Sequence, residues 1–103
     1  MESLAVTTLA QIVQRAVAAY AVELLDTQPS KLYYTENREE QIYCVVAPFD
    51  RHWKKADLVL MARIVGEQVI IDADMNDKPL ADALQQAGVP AEHITLAWMA
   101  DQA

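Results

Sequence analysis

Residues 58–77 read LVLMARIVGEQVIIDADMND, and the fold turns on how they are divided. Two runs rich in Val, Ile and Leu, Leu58 to Val65 and Gln68 to Ala73, flank Val65-Gly66-Glu67. Branched side chains suit a pleated, half-buried surface, and a short turn holding a glycine suits the reversal between two strands. The stretch is therefore a β-hairpin followed by Asp72 to Asp77. Along the second strand Ile70, Asp72 and Asp74 fall on one face, passing from buried to wet as the chain leaves the core.

Asp72, Asp74 and Asn76 also match positions 1, 3 and 5 of a calcium-binding loop, which further needs glycine at 6 and glutamate at 12. Those positions hold Asp77 and Ala83, and an apolar strand precedes them where a helix should stand. The carboxylates read instead as a strand exit, with Asn76 or Asp77 capping the next helix, whose first amides have no partners of their own. No metal is expected.

Upstream, Lys31 to Thr35 and Gln41 to Ala47 make another strand pair around the charged turn Glu36 to Glu40. Asp26-Thr27-Gln28-Pro29-Ser30 separates that pair from an apolar N-terminal segment. There Val6, Leu9, Val13, Val17, Tyr20 and Leu24 recur at helical spacing, and Thr8 with Gln11 forms a capping box, so the regular helix starts near Leu9. Its apolar face is broad enough to be covered twice, by a sheet and then by either a second subunit or the domain's own loops.

Downstream, a helix beginning near Pro79 carries Leu80, Ala83, Leu84 and Ala87 on one face and stops at Gly88. Ala91 to His93 turns, and Ile94 to Trp98 supplies a fifth strand. The expected fold is α+β: a long N-terminal helix, a four-stranded antiparallel meander, a second helix and a fifth strand, with the helices packed on the sheet.

A chain of 103 residues can bury one core, and residues 1–103 read as a single domain. The lone Cys44 cannot form an internal disulfide; it reads as a small buried side chain in a cytoplasmic protein. A net charge of -7 argues against attraction to nucleic acid or an anionic membrane. From Gly66 onward seven acidic residues face only Lys78, a balance that favours solubility or a basic partner. The apolar N-terminal segment is no membrane span, because Gln11, Gln14, Arg15 and Glu23 interrupt it.

Asp50-Arg51-His52-Trp53-Lys54-Lys55 is the one basic and aromatic cluster. Stacking on bases is one use of such a set, but on an acidic protein contact with a partner protein is favoured, since Trp and Arg anchor interfaces. Phe49, Arg51, Trp53, Lys54 and Trp98 are the candidate partner-binding residues. His52 and His93 stand apart from each other and from Cys44, so no metal-ligand spacing emerges. Cys44 among Val and Ile should have a raised pKa. Two glycines cannot build a phosphate-cradling loop, and nothing resembles a nucleophile elbow or a dinucleotide fingerprint. Neither catalytic residues nor a cofactor are expected.

Three stretches resemble the XisI family, the fdxN element excision controlling factors of cyanobacteria. Gln11 to Ala21 is similar to the family's first helix, which reads Q-I-hydrophobic-x-basic and ends in Tyr-Ala. Phe49-Asp50 falls where the family has Trp-Asp. Asp74 to Trp98 follows D-G-T-E...L...G-V-P...D-I-V-L-x-F without a gap, with Leu84, Gly88-Val89-Pro90 and Ile94 to Trp98 in place. Met61 stands where the family usually has His, Met75 and Pro79 stand where it has glycines, and Gly66-Glu67 replaces Asp-Gly, so the resemblance is to a divergent member.

The resemblance implies an antiparallel sheet packed by helices and an accessory role in DNA excision, beside a recombinase and a nuclease-like companion, XisH. It carries no catalytic residues. The resulting expectation is a non-enzymatic accessory protein that binds a XisH-type partner, with a homodimer possible. A small adaptor or assembly chaperone holding a peptide between helix and sheet is the alternative, and direct DNA binding through Arg51, Lys54 and Lys55 the third reading.

Overall fold

The computed structural model describes residues 8–22, 32–51 and 54–100. Helix α1, Leu9–Val22, is followed by β1, Tyr33–Asn37, β2, Ile42–Asp50, β3, Lys55–Val65, and β4, Gln68–Asp74. Helix α2, Leu80–Gln86, a single 3-10 turn at Ala91–His93, β5, Ile94–Leu96, and the short helix α3, Ala97–Ala100, complete the order. The expected turn at 26–30, the start of the first strand at Lys31, and His52 and Trp53 lie outside the described residues.

The five strands lie in sequence order in one sheet. β1 to β4 form the antiparallel meander that the paired apolar runs announced. β5 runs parallel to β4, so the sheet is mixed, and α2 supplies the crossover that a parallel pair requires. The strand expected over Ile94 to Trp98 ends at Leu96; Ala97 already belongs to α3.

α1 begins with the capping box read from the sequence. The Thr8 amide bonds Gln11 Oε1 at 3.0 Å and the Gln11 amide bonds Thr8 Oγ1 at 3.1 Å. Its buried stripe of Val13, Val17, Tyr20 and Ala21 has helical spacing and packs with Tyr43, Val45, Leu60, Ala62, Ile64, Val69 and Ile71. Leu80 and Leu84 of α2 and Val89 complete the core. Tyr20 donates its hydroxyl to the carbonyl of Lys78 at 2.7 Å, which keeps its polar end satisfied inside the apolar contact and ties α1 to the loop before α2.

α2 ends as its glycine predicts. Gly88 has φ 107°, the Val89 amide bonds the Leu84 carbonyl at 3.0 Å and the Gly88 amide that of Gln85 at 3.0 Å. This is a Schellman motif, and its hydrophobic contact joins buried Val89 to buried Leu84.

Three register shifts interrupt the pairing, one of them on β2 between Ala47 and Asp50, and the other two move side chains away from the faces that plain alternation gives them. Opposite β2, Val45 pairs with Leu60 but Val46 with Leu58, so Val59 is an extra residue. Leu60, Ala62 and Ile64 point into the core, whereas Leu58 turns to the opposite face beside Val46 and Tyr33. Opposite β3, Ile71 pairs with Ala62 and Ala73 with Met61, so Asp72 is the extra residue. Asp74 then stands opposite core-facing Leu60. The expectation that Ile70, Asp72 and Asp74 share one face leading out of the core is thereby corrected: Val69 and Ile71 face the core, Ile70 lies opposite Arg63 on the other face, and the bulge sends Asp74 to the helix side.

Candidate functional site

Among the described residues, all the exposed large hydrophobic side chains except Val65 lie at one end of the sheet. The strand register places them there. Tyr33, Val46 and Leu58 form a row across β1, β2 and β3, and the Met75 amide bonds the Val59 carbonyl at 3.0 Å, which sets Met75 beside that row. Trp98 and Met99, 44% and 57% exposed, stand on α3 where β5 leaves the sheet. Beyond the row, β2 and β3 continue as a two-stranded arm, because β1 reaches no further than Val46. Pro48, which lacks an amide to donate, sits on this stretch, where an edge strand tolerates it.

The arm carries Phe49, 64% exposed, with Arg51 and Lys54 exposed at its tip. Lys54 has φ 58°, a left-handed conformation uncommon outside glycine and asparagine, and its amide bonds the Asp50 carbonyl. Lys55 forms an ion pair with Asp57 at 3.6 Å. The arm thus joins an exposed aromatic ring to basic groups on a chain of net charge -7. Of the sequence-derived partner-binding residues, Phe49, Arg51 and Lys54 lie together on the arm, Trp98 lies at the same end of the sheet but on α3, and Trp53 falls outside the described residues. Tyr33, Leu58, Met75 and Met99 escaped the sequence reading; for Leu58 no local signal exists, since its exposure follows from the bulge.

The acidic loop is internally engaged. Asp72 accepts from Arg63 Nε at 2.8 Å. Asp74 Oδ2 accepts the Leu80 amide at 2.7 Å, and Oδ1 accepts both the amide and the side-chain amide of Asn76, at 3.0 and 2.9 Å. The cap of α2 is therefore Asp74, not Asn76 or Asp77; Pro79 occupies the N-cap position without a side-chain bond. Among the described residues no three His, Cys, Asp or Glu side chains converge as a metal site would require.

Cys44 is half-buried on the sheet face away from α1, not enclosed in the core. Burial first, and then the nearby Asp72 carboxylate, push its thiol pKa up, which keeps it a poor nucleophile at neutral pH. A second polar cluster joins α1 to the sheet edge: Glu36 accepts from Gln14, Tyr34 and Arg38. The Tyr34 bond, followed by that of Arg38, holds the Glu36 carboxyl below its usual range.

An open groove of about 820 Å³ lies between α1 and α2. Its walls mix Ile12, Ala16 and Ala83 with Arg15, Asp77 and Asp82. No helix among the described residues is long and apolar enough to cross a membrane.

No protein-family model and no curated protein matches this sequence. Among solved structures, a XisI-like protein from Anabaena variabilis ATCC 29413 superposes with a TM-score of 0.75 over 84% of this chain and 81% of its own, at 19% identity. That agreement decides the architecture. The chain has the XisI-like fold. The fdxN element excision controlling factor XisI of the same organism superposes with a TM-score of 0.69 at 16% identity, covering 86% of this chain and 88% of its own. The XisI-like fold thus accounts for the meander, the crossover helix and the fifth strand, while identities this low extend the likeness to the fold alone.

Proposed function

We propose that this chain is a non-enzymatic accessory protein of XisI type that binds another protein through the apolar end of its sheet. The observation carrying this reading is the gathering of Phe49, Leu58, Met75, Trp98 and Met99 at one end, next to the basic tip of the arm. Large exposed apolar groups cost solubility unless a partner covers them, and aromatic side chains with neighbouring Arg are the usual anchors of such contacts. The named role of the XisI structure, control of fdxN element excision, supports a XisH-type protein as the partner, and the arm's basic residues favour an acidic rim on it.

Titration calorimetry of the purified chain with a purified XisH-type protein tests the proposal. Micromolar or tighter binding is expected, weakened at least about tenfold by Phe49→Ala with Trp98→Ala, as for truncated interface anchors. An absence of heat and of co-elution overturns it. The α1–α2 groove supports a second reading, an adaptor holding a peptide segment; Ala83→Trp, which fills the groove, would then abolish binding while Phe49→Ala would not. Direct DNA contact predicts a gel shift at low salt that Arg51→Ala with Lys54→Ala removes.

A further inference from the structure

Among the described residues, α1 and α2 both pack on one face of the sheet, the face of Val45, Leu60 and Ile71. An antiparallel sheet with one face in water ordinarily places polar residues there. Here the cross-strand rows of the opposite face hold Ile42, Cys44 and Val46 on β2, Met61 on β3 and Ile70 and Ala73 on β4, with Leu58 at their upper edge, and the polar Thr35 and Asn37 of β1 and Thr95 of β5 flank this apolar centre. The side chains of both faces are thus apolar along β2, a pattern of strands covered on both sides.

Charge distinguishes this face from the rest of the surface. The only charged side chain in those rows is Arg63, and Asp72 holds it at 2.8 Å, so the patch is neutral on a chain of net charge -7. Two copies of so acidic a chain repel each other through most approaches, and a neutral apolar face offers one that does not. Size agrees. Strands about 4.8 Å apart make the whole five-stranded face roughly 20 by 23 Å, an apolar centre on β2 to β4 with a polar rim on β1 and β5, which is the anatomy of a standard interface and more than half of its ~800 Å² per partner.

We propose that this face packs against the same face of a second copy, sheet on sheet across a two-fold axis. A two-fold contact must be complementary to itself, and a neutral apolar patch meets that condition where a charged one fails. Cys44 and Met61 are cross-strand partners in the middle row, so the axis passes near them and brings the two Cys44 side chains close together. The arm and α3 lie outside this face, and the two surfaces meet only at Leu58, so this inference is tested separately from the proposed function.

Sedimentation equilibrium of the full chain at micromolar concentrations should give twice 11.5 kDa. Met61→Glu and Ile70→Lys each set an unpaired charge inside the contact, and each should weaken self-association about 100-fold while leaving the far-ultraviolet circular dichroism unchanged. Ala19→Glu, on the α1–α2 groove, should leave the mass unchanged. A mass of 11.5 kDa at every concentration overturns the proposal and leaves the face to another protein. Dissociation by Ala19→Glu but not by Met61→Glu or Ile70→Lys also overturns it, moving the contact to the helices.

Discussion

Asp74 Oδ2 receives the backbone amide of Leu80 at 2.7 Å, so a strand residue caps a helix that begins six positions later. The same carboxylate fixes Asn76 with its other oxygen, which makes Asp74 the organiser of the whole β4–α2 connection.

Replacing it should therefore cost more than replacing either expected cap. Asp74→Ala is expected to lower stability by about 1–2 kcal/mol in urea unfolding, with Asp77→Ala within about 0.5 kcal/mol of wild type. Equal effects would show that the cap is shared along the loop.

The bulge at Val59 separates two leucines that the sequence presents as equivalents. Leu60 is fully buried, and Leu60→Ala should cost about 2–5 kcal/mol. Leu58 is 41% exposed, and Leu58→Ala should cost less than about 1 kcal/mol in the isolated chain, measured in the same unfolding series.

Glu36 predicts a pH dependence. Its folded pKa is depressed, so its bonds to Tyr34, Arg38 and Gln14 stabilise the chain above the ordinary carboxylate value of 4.5, and that contribution is lost as pH falls through the folded value. Melting temperatures recorded from neutral pH into acid should fall less steeply below 4.5 in Glu36→Gln than in wild type. Tyr34 acts at the other extreme. Burial, and then Glu36, raise its pKa from 10.0 to beyond the usual tyrosine range, so its contribution persists at neutral pH and declines only as pH rises above 10.0.

Gln41 offers a stabilising change. The loops closed by the Asn37–Ile42 and Asp50–Lys55 pairs each end in a left-handed residue, Gln41 at φ 54° and Lys54 at φ 58°. A side chain at positive φ costs roughly 1 kcal/mol that glycine avoids, less the entropy glycine loses on folding. Gln41→Gly should raise the melting temperature by a few degrees in a calorimetric scan, whereas Gln41→Val should lower it.

By itself the sequence determined the order of helices and strands as far as β5, the capping box at Thr8 and Gln11, the glycine turn at Gly66 and the end of α2 at Gly88. Each of these rests on contacts between residues a few positions apart, which spacing and side-chain type encode directly. Only the tertiary structure decided that Leu58 faces outward, that Asp74 caps α2, that β5 runs parallel to β4 and that Cys44 lies on the sheet face away from α1. Those outcomes depend on hydrogen-bond register between strands, and one extra residue at Val59 or Asp72 reverses every face beyond it without changing the apolar pattern along the chain.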